Sequence, residues 1–427
     1  MTMTGITWKH KLMSARPLLY VVIVSEHNLA ELRACVHFQP QSIWLITSDR
    51  MIKSAQRLNR ILEKKLPNSR LEILGHSPEQ PLKGEFMAEV GVWVMQYLQP
   101  RLQQQNHSDC ILNMTGGTKA LSFVLTQAYP WQELHYQPFQ DSEAYLERLQ
   151  LLSPQSPQSL ARVDLSAAAI SPVENALLYV QDAKHHSRNP ISDHPDSLAL
   201  ALLLLEAQQA NRHSLSAANF WGKITPLLNQ IWQVKYPKEQ PYVACELPAQ
   251  PREHPNFIQF IARINQLNAK KPAILLTETG MKIATKQNHS LEHWRKWVEG
   301  GWFEQLVAHW LAEAGIESQN MVVNVQLIPE DNEQGQETDI LLQHRNSLYV
   351  LELKADLPET KTVAEFENQI TSLSSALGKV KKVLVLAPAV KNRLTDEQWT
   401  FFEARCQSKQ VKLCCPFSVD DIKQLLR

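Results

Sequence analysis

The chain has 427 residues, of which 44% are hydrophobic, and its 43 basic side chains balance its 43 acidic ones. This length predicts two or three domains, and the hydrophobic content excludes a largely disordered chain. A nucleic-acid-binding protein with no net charge must concentrate its positive charge locally. The six cysteines contain no CxxC pair, which predicts a reduced, cytoplasmic protein without a zinc site. No signal peptide is evident, and the longest apolar run, Leu198 to Leu205, is too short to span a membrane.

The first domain is predicted to cover residues 1–155 and to alternate strands with helices. Short apolar runs predict strands at residues 18–24, 42–47, 71–74, 110–113 and 134–136, and amphipathic segments between them predict helices. This alternation predicts an α/β fold with an open, mostly parallel sheet. Ligands of such sheets bind at the carboxyl ends of the strands. We therefore expect a binding site in the polar turns that follow these strands.

The most informative turn follows the fourth strand and reads Asn-Met-Thr-Gly-Gly-Thr-Lys over residues 113–119. Paired glycines let backbone N–H groups approach a ligand, and the N terminus of the next helix favours an anion. Thr115, Thr118 and Lys119 add donors. The spacing of a Walker P-loop is absent. We predict phosphate binding, and the alternative is a tight strand–helix turn in which Gly117 serves packing only.

This turn resembles the signature of the CARF domain, a Rossmann-like sensor of cyclic oligoadenylates. The resemblance implies a homodimer in which two copies of the loop line one ligand across a two-fold axis. Carried over by position, the ligand contacts come from Asn113, Thr115, Gly116, Gly117, Thr118 and Lys119. The turn after the first strand would form the other wall of the site, with Ser25, Glu26, His27 and Asn28.

Residues 156–289 carry no chemical motif and are predicted to form a connector. The Ser/Pro/Gln-rich stretch 153–159 is typical of a linker. Helices are predicted at 196–209, 221–232 and 257–267, followed by a hairpin over 273–284. This combination suggests a small, winged-helix-like α+β connector. The histidines at 185, 186 and 194 lie in a polar loop, where solvated side chains are the more common outcome.

The third domain, residues 290–427, contains two apolar strands at 337–342 and 348–354 that carry Asp339, Glu352 and Lys354. A charge inside an apolar run is costly unless it is paired or binds a metal. Two carboxylates on adjacent strands, with the Leu353 carbonyl, suit Mg²⁺ or Mn²⁺. Such a cation activates water for phosphodiester hydrolysis, and Lys354 would orient that water or stabilise the developing negative charge. The alternative is a strand-edge salt bridge between Glu352 and Lys354.

The segment Gly-Gly-Trp-Phe-Glu at 300–304 opens an amphipathic helix ahead of these strands. Glu304 is therefore a third candidate metal ligand, ranked above Glu337. A helix at 365–377, a strand at 380–386, a helix at 397–406 and a strand at 411–415 are predicted to complete the domain. This order of elements resembles the PD-(D/E)XK restriction-endonuclease fold. The Gly-Gly-Trp-aromatic-Glu opening is similar to that of the CARF-domain nucleases, ancillary effectors of type III CRISPR systems.

Together the two resemblances imply a metal-dependent endonuclease that acts in antiviral defence. Cyclic oligoadenylate, with cyclic tetra-adenylate as the expected ring, would activate it allosterically to cleave DNA, RNA or both. One alternative is a nucleotide-sensing transcription regulator that binds DNA through the connector without cleaving it. Another is a constitutive nucleic-acid-processing enzyme whose first domain only dimerises or binds a dinucleotide. An NAD(P) oxidoreductase is disfavoured because no G-x-G-x-x-G follows the first strand.

Overall fold

The structure is a computed structural model of the chain. It describes residues 17–77, 81–105, 109–138, 144–153, 156–186, 192, 197–199, 201–202, 205, 242–246, 258, 261–262, 265, 274–284, 293, 296–330, 335–355, 377, 380–392, 394–416 and 418–427. None of the helices in these ranges is long and apolar enough to cross a membrane.

A seven-stranded sheet forms the first domain, in the order β3-β2-β1-β4-β5-β6-β7. Its strands are β1 Leu19–Ile23, β2 Ser42–Ile46, β3 Arg70–Leu74, β4 Cys110–Asn113, β5 Glu133–Tyr136, β6 Tyr145–Ser153 and β7 Ser156–Asp164. The first five strands run parallel, and β6 and β7 add an antiparallel edge. The five predicted strands and the mostly parallel sheet are thus confirmed.

Helices cover both faces of this sheet, so β1 is buried along its whole length. The helices are α1 Leu29–Phe38, α2 Ile52–Lys65, α3 Met87–Trp93, α4 Gln99–Leu102 and α5 Lys119–Ala128. Side chains alternate between the faces of a strand. Tyr20 and Val22 therefore join the core beneath α1 and α2, whereas Val21 and Ile23 join the core beneath α3 and α5.

The linker predicted at residues 153–159 is wrong, because Ser153 ends β6 and residues 156–159 lie in β7. The register of the β6–β7 hairpin runs from the Tyr145–Asp164 pair to the Ser153–Ser156 pair. The sheet therefore continues to Asp164, past the boundary expected at residue 155. Strand β7 is the edge of the sheet, where proline is tolerated, and Pro157 pairs there with Leu151. Backbone hydrogen bonds hold the two strands of this hairpin together, and they do not depend on side-chain type. Composition therefore does not distinguish a polar edge hairpin from a linker.

Residues of the predicted connector form a three-stranded antiparallel sheet in the order β10-β11-β9. Its strands are β9 Tyr242–Glu246, β10 Ile274–Leu276 and β11 Gly280–Ala284. The predicted hairpin is confirmed, with Ile274 paired to Ile283. Most of the helices predicted at 196–209, 221–232 and 257–267 lies outside the described residues. The winged-helix-like arrangement therefore stays a prediction.

A six-stranded mixed sheet forms the last domain, in the order β16-β15-β14-β13-β12-β8. Its strands are β8 Asp182–His185, β12 Met321–Ile328, β13 Gln336–His344, β14 Ser347–Lys354, β15 Lys381–Leu386 and β16 Val411–Cys414. Its helices are α6 Pro172–Ala176, α7 Trp302–Glu313, α8 Pro388–Asn392, α9 Asp396–Ser408 and α10 Val419–Leu426. The predicted strands are confirmed, whereas the helix predicted at 365–377 lies almost wholly outside the described residues.

Strand β8 was not predicted, because its residues read as a polar loop that ends in histidines. It pairs antiparallel with β12, from Val325–His185 to Ile328–Asp182. The chain therefore adds an edge strand to the last sheet before it enters the connector. Because an edge strand needs only one hydrogen-bonded neighbour, it forms here without an apolar sequence pattern.

Candidate active site and ligand-binding loops

Helix α7 places Glu304 over the sheet and is anchored by its apolar side. Phe303 and Leu306 are fully buried in a core that includes side chains of β13 and β14. A turn of π-helix, Trp297–Gly301, leads into α7. The nearest atom to a Cβ built on Gly300 is Glu304 Oε1, at 3.9 Å. Position 300 therefore lies in van der Waals range of the Glu304 carboxylate.

The two strand carboxylates meet where β13 and β14 part. The register of this strand pair ends at Ile340–Leu351, one residue before Asp339 and Glu352. Past that point, the Leu353 N–H donates a hydrogen bond of 2.6 Å to Asp339 Oδ2. Glu352 is only 1% exposed. The fork of the strands therefore holds both carboxylates together and fixes the orientation of Asp339.

The four predicted catalytic charges form one electrostatic cluster. Lys354 Nζ donates a hydrogen bond to Glu352 Oε1. Burial and the Asp339 carboxylate raise the pKa of Glu352 to about 7. Burial, Asp339 and Glu337 raise the pKa of Glu304 to about 8. Burial raises the pKa of Asp339, and the Lys354 ammonium opposes this shift. Burial lowers the pKa of Lys354, but Asp339 and Glu352 outweigh it, so the net shift is upward.

The salt bridge between Glu352 and Lys354, which was the alternative interpretation of this motif, is present. It does not lie on a solvated strand edge, because the two side chains are 1% and 20% exposed. It also lies within the field of two further carboxylates, Asp339 and Glu304. A simple surface ion pair has neither property. The arrangement therefore favours a functional cluster.

Two further residues belong to this cluster. Glu337 raises the pKa values of Glu304, Asp339 and Glu352 by charge repulsion. Asn324 was missed by the sequence analysis, and its side chain makes a hydrogen bond with Glu304 that lowers the pKa of that carboxyl. Asn324 lies on β12 and adopts a left-handed φ of 54°. The residues on either side of it pair with the residues on either side of Asp339. The available signal was a single amide inside the run Val-Val-Asn-Val.

The donor set of the cluster fits a hard divalent cation. Asp339, Glu352 and Glu304 supply carboxylate oxygens, the ligands that Mg²⁺ and Mn²⁺ prefer. Glu352 Oε2 is buried and has no hydrogen-bond partner among the described residues. An ionised oxygen in that position is costly unless a cation satisfies it. Within the described part of the chain, no group of three His, Cys, Asp or Glu side chains is spaced as an assembled metal-ion site.

In the first domain, Asn113 shapes the glycine loop from below. Its side chain is fully buried. Asn113 Oδ1 accepts a hydrogen bond of 3.0 Å from the Thr115 N–H. Its Nδ2 donates to the Tyr20 hydroxyl at 3.3 Å, and that hydroxyl bonds Nδ1 of His135 at 2.9 Å. The Asn113 side chain thus fixes the start of the loop and does not face the surface.

Both glycines are required where the loop crosses the end of β1. A Cβ at Gly116 would lie less than 3 Å from the Ile23 carbonyl and from Glu31 Oε1. A Cβ at Gly117 would lie equally close to the Ile23 side chain, and Gly117 has a φ of +80°. The alternative interpretation of this loop, a tight turn in which glycine serves packing, expected such close contacts. This packing does not exclude a ligand on the opposite, exposed side.

The loop presents its remaining donors at the N terminus of α5. Thr118 Oγ1 caps the helix by accepting a hydrogen bond from the Leu121 N–H at 3.2 Å, and it donates to the Gly84 carbonyl at 2.7 Å. Thr115 Oγ1 accepts a hydrogen bond from the Gln137 N–H at 2.9 Å. Lys119 is exposed at the first position of α5. The two hydroxyls therefore hold the loop in place, while Lys119 offers its charge to solvent.

The second predicted wall, Ser25 to Asn28, lies next to the glycine loop because β1 and β4 are adjacent parallel strands. The Ser25 N–H donates to Asn28 Oδ1 at 2.8 Å, and Asn28 Nδ2 donates back to the Ser25 carbonyl at 2.8 Å. Asn28 is fully buried, whereas Glu26 is exposed. Ser25 Cβ would be 3.1 Å from a Cβ on Gly116. The structure thus brings the two predicted walls into contact.

Glu31 was not predicted and lies beneath both walls. It is 1% exposed, and neither of its carboxyl oxygens has a hydrogen-bond partner among the described residues. Burial raises its pKa to about 8. The sequence analysis missed Glu31 because it occupies one turn of an ordinary amphipathic helix, where a glutamate is usually solvated.

No protein-family model matches the chain, and no curated protein matches its sequence. Two solved structures match along nearly its whole length. Protein VC1899 from Vibrio cholerae is 15% identical, with a TM-score of 0.65 and 96% of each chain covered. Can2 from Sulfobacillus thermosulfidooxidans, solved in complex with cyclic tetra-adenylate, is 16% identical, with a TM-score of 0.62 and 96% of each chain covered. The chain has the fold of Can2. The predicted resemblance to the CARF-domain PD-(D/E)XK nucleases is therefore confirmed at the level of the fold.

Proposed function

We propose that this protein is a metal-dependent nuclease that cyclic oligoadenylate switches on, as part of type III CRISPR defence. The observation that carries the proposal is the convergence of Glu304, Asp339 and Lys354 in one cluster around the buried Glu352. Perturbed carboxyl pKa values gathered around one lysine are typical of catalytic sites. The shared fold with Can2, a protein solved with cyclic tetra-adenylate, supports the same function.

Asp339, Glu352 and Glu304 would hold the divalent cation, with the Leu353 carbonyl as a neutral ligand. When bound, the cation supplies positive charge to the scissile phosphate and lowers the pKa of a bound water. The Leu353 N–H keeps Asp339 aimed into the site. The Lys354 ammonium lies beside Glu352 and stabilises the negative charge that develops on the phosphate.

The activator would bind at the carboxyl edge of the first sheet, on the glycine loop and the Ser25–Asn28 turn. Two features support an anionic ligand there: the N terminus of α5 and the exposed Lys119 beside it. Cyclic tetra-adenylate carries phosphates that such a site attracts. The domains would be a sensor that extends to Asp164, a connector, and a nuclease domain over 290–427 that is completed by β8.

The active assembly would be a homodimer formed through the first domain. Five large apolar side chains on or next to α3 and α5 are 46% to 63% exposed. They are Phe86, Met87, Val92, Met95 and Phe123. An exposed apolar group of this kind marks an interaction surface. Because α5 begins at the glycine loop, pairing of this surface would bring two copies of the loop near one ligand.

The test is cleavage of single-stranded RNA, single-stranded DNA and supercoiled plasmid in Mn²⁺ or Mg²⁺, with and without cyclic tetra-adenylate. We expect cleavage that depends on the activator. Gly116→Ala should remove the stimulation, because the added Cβ collides with the Ile23 carbonyl and Glu31. Thr126→Ala, on the same helix α5, is the matched control and should keep it. Equal cleavage with and without activator contradicts the switch.

A second candidate function remains testable in the same experiment. A transcription regulator with this fold would bind duplex DNA through the connector, would leave the plasmid intact, and would tolerate the loss of Asp339, Glu352 and Lys354. Operator binding without cleavage, in the presence of both metal and activator, would favour that function. The burial of Glu352 favours the nuclease, as does its Oε2, which has no hydrogen-bond partner in the described part of the chain.

A further inference from the structure

Helix α1 contacts the sensor loops on one side and the nuclease hairpin on the other. Its Glu31 packs against Gly116 of the glycine loop. Its Arg33 donates hydrogen bonds to the Arg345 carbonyl, at 3.1 Å, and to Asn346 Oδ1. Residues two apart on a helix point in nearly opposite directions. One short helix therefore touches both the loop that would bind the activator and the turn between β13 and β14.

The Arg33 contact has the character of a positioning device. The side chain is 6% exposed, and burial lowers its pKa to about 10. Both of its partners are neutral oxygens, and no carboxylate among the described residues lies within ion-pair distance of it. Burying an arginine without an anion opposes folding. The buried guanidinium instead provides two directional hydrogen bonds to a turn.

The turn that Arg33 holds is itself constrained. Arg345 and Asn346 form the two-residue connection between His344 and Ser347. Arg345 adopts a φ of +54°, which is unfavourable for a residue with a side chain. Its carbonyl accepts hydrogen bonds from Arg33 and, at 3.0 Å, from Gln343 Nε2. Loss of the Arg33 bond therefore removes one of the restraints on a strained turn.

The hairpin connects this turn directly to the catalytic fork. Strands β13 and β14 are paired from the turn to Ile340–Leu351, next to Asp339 and Glu352. The distance along the strands is about 20 Å. Between the turn and the Ile340–Leu351 pair, every side chain of the two strands except that of His344 is buried, so the strand pair moves as a unit and not residue by residue. A change in the position of the turn is therefore passed on to the orientation of the fork.

We propose that Arg33 is the positioning residue that couples the sensor loops to the active-site hairpin, through helix α1. The inference rests on the proposed function, because it assigns the route by which that switch acts. Binding of the activator changes the packing of the glycine loop on Glu31, and α1 transmits the change to Arg345 and Asn346. The ligand shifts the equilibrium only to the extent that it binds the two positions of α1 differently.

A second contact between the domains provides the matched control. Glu330, at the end of the β12 segment, pairs with Arg57 and Lys53 of α2 at 2.8 Å. This contact involves neither α1 nor the hairpin turn. Glu330→Gln therefore removes charge from the same domain boundary and leaves the Arg33 contact intact. A general weakening of the boundary affects both variants, whereas a specific route through Arg33 affects only one.

The experiment measures plasmid cleavage and cyclic tetra-adenylate affinity separately in the full chain. Arg33→Ala should keep the dissociation constant of the activator and the basal rate, and should lower the stimulated rate about tenfold. Asn346→Ala should do the same, and the double variant should be no worse than either single one. Arg33→Lys should recover only part of the stimulation, because an ammonium does not reproduce the two-pronged contact. Glu330→Gln should remain stimulated.

Amide hydrogen exchange over residues 343–348 provides a readout that does not depend on cleavage. Cyclic tetra-adenylate should change this exchange in the wild type and not in Arg33→Ala. Full stimulation in Arg33→Ala, or an unchanged exchange in the wild type with activator bound, overturns the inference. If no substrate is cleaved but the exchange changes as expected, the coupling holds and the proposed nuclease function fails. The two failures are therefore distinguishable.

Discussion

Buried carboxyl groups occur on helix α1 of the first domain and around the β13–β14 fork, and their surroundings differ. Glu31 on α1 has no charged partner among the described residues, and burial raises its pKa to about 8. Around the fork, burial acts on Glu352 of β14 and Glu304 of α7 together with repulsion from Asp339, and Lys354 acts in the opposite direction. A raised pKa therefore has two meanings here. A solitary acid beneath a loop stays neutral, whereas clustered acids around a lysine perturb one another's pKa values, as is typical of catalytic sites.

The difference also separates the tasks of the two regions. Nothing near Glu31 offers it a charge partner among its described contacts, so it contributes shape and a neutral surface to the underside of the glycine loop. The carboxylates around the fork all interact electrostatically with one lysine, Lys354. Chemistry is therefore expected at the fork and ligand recognition above Glu31. The following predictions test this contrast.

The largest effect is expected from Glu352→Gln, which removes a charge at the centre of the cluster and keeps its shape. Activator-stimulated cleavage should fall about 1,000-fold or more, because a carboxylate ligand and the partner of Lys354 are both lost. Affinity for cyclic tetra-adenylate should not change. The measurement is initial cleavage rate against activator concentration.

The matched control for this prediction is Glu313→Gln, at the exposed end of the helix that carries Glu304. It should cleave at the wild-type rate. Wild-type cleavage by Glu352→Gln would show that the fork is a structural cluster like the site of Glu31, and the contrast between the two regions would disappear.

An intermediate effect is expected from the pH dependence of stability. The pKa of Glu31 is about 8 in the folded protein and near its usual value of 4.5 when unfolded. Between these values the folded state holds a proton that the unfolded state has lost, so stability falls as pH rises. From pH 5 to pH 7.5, Glu31→Gln should gain about 3 kcal/mol in unfolding free energy relative to wild type. Urea unfolding at both pH values measures this.

The control here is Glu63→Gln on the exposed side of α2, whose difference from wild type should not depend on pH. A Glu31→Gln curve parallel to that of the wild type would mean that Glu31 has a charge partner in the folded protein. Its solitary character, and with it the contrast to the fork, would then be lost.

The smallest effect is expected at Asn324, whose hydrogen bond lowers the pKa of Glu304. Asn324→Gly keeps the left-handed backbone and removes only the side chain. Cleavage should fall several-fold, and its acidic midpoint should move to higher pH, because Glu304 holds its proton more tightly. Asn324→Ala should be less stable than Asn324→Gly, by about 1 kcal/mol, because alanine disfavours that φ. An unchanged pH profile in Asn324→Gly would exclude Glu304 from the titrating cluster.

The order of the elements was predictable from sequence where apolar runs were continuous. Strands β1, β4 and β14 are buried along almost their whole length, and β13 is buried from Ile340 to Gln343, so branched and apolar residues identify these strands. Strands β6, β7, β8 and β9 were missed. Strands β7, β8 and β9 lie at sheet edges, where no apolar pattern is needed, and the run of β6 is interrupted by charged residues. Glu304, Asp339, Glu352 and Lys354 were predictable because charges inside apolar segments call for a partner.

The sequence by itself determined the two α/β sheets, the glycine loop and the four charges of the fork, since each is encoded within a few neighbouring residues. Only the tertiary structure decided which groups are desolvated and which distant ones meet. It placed Glu31 beneath Gly116, Arg33 against the turn between β13 and β14, and Asn324 beside Glu304. Burial and long-range contact depend on how whole sheets and helices pack, and no local pattern carries that information.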